Sequence, residues 1–106
     1  VTANDVELTT RLRTLWRQAL GDDVLWDEKR KGMGSEDFRF FTTDPYIPST
    51  YFAVGGTPPE DFERAAAGGE PVPSHHSPLF KIDPEPSVML GVEATVLGLL
   101  DMMPPQ

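Results

Sequence analysis

The chain has 106 residues, enough for one small domain with one modest core, and its 39% apolar and 25% charged residues are ordinary for a globular protein. Lys plus Arg number 9 against 17 for Asp plus Glu, and the formal charge of -8 opposes binding to phosphate backbones or anionic membranes, so neither nucleic acid nor a membrane is an expected partner. No window approaches the roughly 18 apolar residues of a spanning helix, no basic-then-apolar leader opens the sequence, and the lack of cysteine excludes disulfides, thiolate metal sites and thiol nucleophiles within these residues.

Residues 5–20 place Leu8, Leu12, Leu15, Trp16 and Ala19 on one face at helical spacing, with Asn4 as the expected N-cap, Glu7 answering it, and Gly21 as the stop. Arg11, Arg13 and Arg17 then fall on the exposed side. Val24-Leu25-Trp26 reads as a short strand, followed by a charged run and a loop carrying Gly32 and Gly34. Ser35 can cap a short helix over 36–41 that turns Phe38 and Phe41 inward, before Asp44-Pro45 and Ile47-Pro48 force extended chain. Residues 49–54, STYFAV, have the aromatic and β-branched content of a strand ended by Gly55-Gly56.

Thr57-Pro58-Pro59-Glu60 has the form of a capping box, which predicts an exposed helix over 58–67 stopped by Gly68-Gly69. Residues 71–82 form a proline-spaced loop containing both histidines. The last element is an apolar helix over 84–103, whose Gly91 and Gly98 share a face and would let it lie close against a sheet.

Concentrated ligand chemistry occurs once, at His75-His76-Ser77-Pro78, because imidazole suits a borderline metal near neutral pH. In an extended loop the two rings point opposite ways, so one at most would face a metal; the alternative is a solvated loop. In Gly34-Ser35-Glu36-Asp37-Phe38, adjacent carboxylates open a short helix beside free N–H donors. Chemistry alone allows two uses for that turn: binding or positioning a substrate, or plain helix capping.

Taken in order, GMGSEDF, YFAVGGTPPEDFERA and PVPSHHSPLFKIDPEPSVMLGVEATVLGLL resemble the C-terminal part of the metal-dependent amidohydrolases of the aminoacylase and carboxypeptidase type, the group with hippurate hydrolase, auxin-conjugate hydrolases and aminobenzoyl-glutamate hydrolase. The resemblance covers nearly the whole chain. It implies an α/β fold with helices packed on a short mixed sheet, the C-terminal portion of a two-metal exopeptidase-type catalytic domain. Residues 1–106 would be one segment of that discontinuous domain, with its N-terminal half and the lid and dimerisation domain lying outside the segment.

His76, immediately before Ser77-Pro78, matches the family's metal-ligand histidine, whereas His75 stands where the family usually has another residue. Glu36 and Asp37 match the turn that borders the site and would support a ligand or position substrate. The intact enzyme would carry two divalent ions (Zn, Mn, Co or Ni) sharing a hydroxide, with a glutamate from the other half managing the proton, and would cleave N-acyl amino acids or small peptides. The isolated segment is expected to hold no metal and to be inactive. A cytoplasmic location and a homo-oligomer complete the implied picture; the rival is a non-catalytic binding or interaction module, with a pseudo-enzyme lid partner as a third reading.

Overall fold

Helix α1, Val6–Leu20, begins one residue later than the Asn4 cap predicts. Asp5, not Asn4, occupies the N-cap, and its carboxylate Oδ1 accepts the Leu8 N–H at 2.8 Å. The reason is local competition for Asn4. Its side-chain amide is bound to the backbone of Tyr51, accepting from the Tyr51 N–H at 2.8 Å and donating to the Tyr51 carbonyl at 2.9 Å. Gly21 ends the helix as expected, with φ at 105° and its N–H on the Arg17 carbonyl, a conformation that glycine adopts without a Cβ penalty.

The computed structural model describes residues 2–27 and 36–106. These contain α1, a 3₁₀ turn at Asp22–Val24, a 3₁₀ turn at Asp37–Phe41, helix α2 at Pro59–Ala66 and helix α3 at Pro84–Met102. Among the described residues there is no strand and no sheet, only an isolated bridge between Thr43 and Tyr46. The expected α/β arrangement of helices on a mixed sheet is therefore overturned: the described chain is helical.

Both expected strands fail for want of a ladder partner. At 22–26 the two aspartates start a 3₁₀ turn, and Asp27 turns back to pair with Arg13 and Arg17 of α1. At 49–51 no ladder forms, and the residues that open α1 bond to backbone groups of Ser49 and Tyr51. Besides the Asn4 bonds, the Asp5 N–H donates to the Ser49 carbonyl at 2.8 Å, and the Thr9 and Thr50 hydroxyls meet at 2.9 Å. Strand-forming side chains describe a surface that fits a sheet; they do not supply the neighbouring strand. Asp44-Pro45, expected in extended chain, instead lies in the turn closed by the Thr43–Tyr46 bridge and by the Ile47 N–H on the Thr42 carbonyl at 3.0 Å.

The chain divides into two compact units, Val1–Phe52 with Val96–Gln106, and Ala53–Thr95. In the first, Leu12 and Trp16 of α1 are buried, as their helical spacing predicts, while Ala19 of the same expected face stays exposed. Trp16 packs on Phe52 with ring centroids 4.8 Å apart, and Phe38 on Tyr51 at 5.4 Å. Phe41, expected to point inward, is exposed. A Cβ placed on buried Gly98 of α3 would stand 3.5 Å from Leu12 Cδ2, an ordinary van der Waals distance, so the Leu12 branch lies beside this part of α3. Arg11 fastens the end of α3: Nε lies 2.6 Å from Asp101 Oδ2, and a terminal nitrogen donates to the Asp101 carbonyl at 2.7 Å. That oxygen belongs to the last turn, where helix carbonyls lack internal partners and a cation is favoured.

In the second unit α2 begins at Pro59 without the capping box, since no side chain caps its N-terminus. Proline is tolerated there because first-turn N–H groups have no helical acceptor. Gly68, at φ 90°, and Gly69 end α2 by donating to the Ala65 and Arg64 carbonyls. The Gly55-Gly56 pair anchors the start of α3. The Gly56 carbonyl accepts the Asp83 N–H at 2.7 Å, and the Gly55 carbonyl accepts the Ser87 hydroxyl at 3.0 Å.

Candidate functional site

The histidine segment owes its shape to two consecutive turns. The Ser77 N–H donates to the Ser74 carbonyl at 2.9 Å, which makes His75 and His76 the two central residues of the first turn. The Phe80 N–H then donates to the Ser77 carbonyl at 3.1 Å, with Pro78 at the second position, where its fixed φ fits. Ser77 Oγ adds a bond from the Leu79 N–H at 3.1 Å. Ser77 and Pro78 thus have a local structural task that needs no ligand.

This geometry corrects the expectation that the two imidazoles point opposite ways. Alternation belongs to extended chain, and a turn cancels it: the His75 and His76 rings lie edge to face with centroids 4.3 Å apart. Both histidines are exposed. Among the described residues no group of three or more His, Cys, Asp or Glu side chains is placed to hold a metal ion. A catalytic zinc takes about three protein ligands and a structural zinc about four.

Glu36 and Asp37 belong to the first unit and the histidines to the second. Glu36 precedes the 3₁₀ turn with extended φ and ψ, and its side chain makes no capping bond. Its carbonyl accepts the Thr2 hydroxyl at 3.3 Å. Asp37 occupies the first position of that turn, and both carboxylates are exposed. Asp37 is the acidic residue of that first turn, while Gly32, Met33, Gly34 and Ser35, the expected cap, lie outside the described residues.

The charged and polar groups that are arranged together lie elsewhere and were not singled out by the sequence. Partial loss of solvent pushes the Asp27 carboxyl up, but hydrogen bonds and charge from Arg17 and then Arg13 outweigh it and hold the group below the usual carboxylate range. Tyr46 donates to Asp5 Oδ2, and this bond, followed by the one from the Leu8 N–H, holds Asp5 below its ordinary value. The same bond raises the Tyr46 phenol, with partial desolvation and the Asp5 charge adding to it. Asp5 was legible as a cap, since Asp is a favoured N-cap residue just before Val6. No sequence signal selects Tyr46, which arrives from 41 residues away.

No protein-family model, curated protein or solved structure matches this chain. The family resemblance accordingly stands on the quoted motifs. No helix among the described residues is long and apolar enough to cross a membrane.

Proposed function

We propose that this chain is the C-terminal segment of the catalytic domain of a metal-dependent amidohydrolase that cleaves N-acyl amino acids or small peptides. The observation that carries the reading is the ordered series G-S-E-D-F, then Y-F-A-V-G-G-T-P-P-E, then H-S-P ahead of a long apolar helix, at Gly34 to Phe38, Tyr51 to Glu60 and His76 to Pro78. In this reading His76 is one metal ligand, and Glu36 and Asp37 support the site or position substrate. Further ligands and the general base come from the other half of the catalytic domain, because among the described residues no group of three or more donors is placed to hold a metal ion.

Helix α3 supports the part of this reading that requires more protein. It is rich in apolar residues, and Val88, Met89, Val92, Val96, Leu99 and Leu100 are exposed. A helix of that kind is normally enclosed by a larger protein. A homo-oligomeric enzyme in the cytoplasm, loaded with two divalent ions, completes the proposal.

The same exposed apolar residues favour the second reading, a non-catalytic module that works by binding another protein. One experiment separates the two. The complete polypeptide that contains residues 1–106, purified and dialysed against Zn²⁺ or Mn²⁺, is assayed for amino acid release from a panel of N-acyl amino acids. Release that depends on bound metal supports the hydrolase; stable metal-free protein with no turnover, also after metal is added, supports the interaction module.

A further inference from the structure

We draw no further inference here: the strongest candidate, the exposed apolar stripe of α3 through Met89, Val92, Val96 and Leu99, carries nothing because nothing in the structure shows what covers it.

Discussion

Replacing Gly98 by alanine should stabilise the protein, although Gly98 is buried. A glycine inside a helix costs about 0.5–1 kcal/mol relative to alanine, because the unfolded chain has more backbone freedom to lose. The opposing term is steric. The new methyl would stand 3.5 Å from Leu12 Cδ2, the nearest neighbouring atom, which is ordinary van der Waals contact. No overpacking penalty is therefore due, and a gain of about 0.5–1 kcal/mol should remain, equivalent to a Tm increase of roughly 2–8 °C for a domain of this size. Gly98→Leu should reverse the sign, since its further carbons must displace Leu12. Thermal and urea unfolding followed by circular dichroism measure both variants. A Tm for Gly98→Ala several degrees below wild type would show that α1 and α3 approach more closely than described. Leu12→Ala supplies the control: removing this buried side chain should cost about 2–5 kcal/mol, and in that background the benefit of Gly98→Ala should change because the two sites touch.

Gly56→Ala should destabilise, because its Cβ would lie 2.8 Å from Ile82 Cγ2 and the branched Ile82 side chain must shift; unfolding should show a lower Tm than wild type. The Asp5–Tyr46 bond should leave two marks on stability against pH. The lowered Asp5 pKa adds stability above the ordinary carboxylate value of about 4 that is lost as pH falls through the folded-state value, and the raised Tyr46 pKa adds stability below about 10 that is lost as pH rises through its folded-state value. Tyr46→Phe should flatten both limbs of the profile, and unchanged limbs would refute the linkage. Residues 1–106 alone should release no amino acid from N-acyl substrates with excess Zn²⁺, Mn²⁺ or Co²⁺; turnover by the purified segment would show that its own donors suffice.

The helices were largely readable from the sequence because their causes are local. Leu12 and Trp16 sit four apart, Gly21 permits a positive φ, and two prolines fit the first turn of α3. A sheet is less legible in the sequence because its cause is not local. Residues 49–54 have strand-forming side chains, yet whether they pair is decided by what lies beside them, and there Asn4 and Asp5 take the hydrogen bonds at 49 and 51. The histidine orientation departs from the sequence expectation for a different reason. Ser74, Ser77 and Pro78 carry turn chemistry, and the period-two alternation of extended chain does not survive a turn. The carboxylate motif was legible as a motif only, since half of it lies outside the described residues.

The hydrolase proposal is tested most directly by the metal content of the complete polypeptide carrying His76→Ala, compared with wild type and with His75→Ala. The account predicts about two divalent ions per subunit in the wild type, and loss of metal and of N-acyl amino acid hydrolysis by orders of magnitude in His76→Ala. His75→Ala should stay within the roughly 10–100-fold range of groups that only orient a ligand. Circular dichroism of each variant separates ligand loss from misfolding. A folded His76→Ala protein that keeps wild-type metal content and turnover would contradict the account.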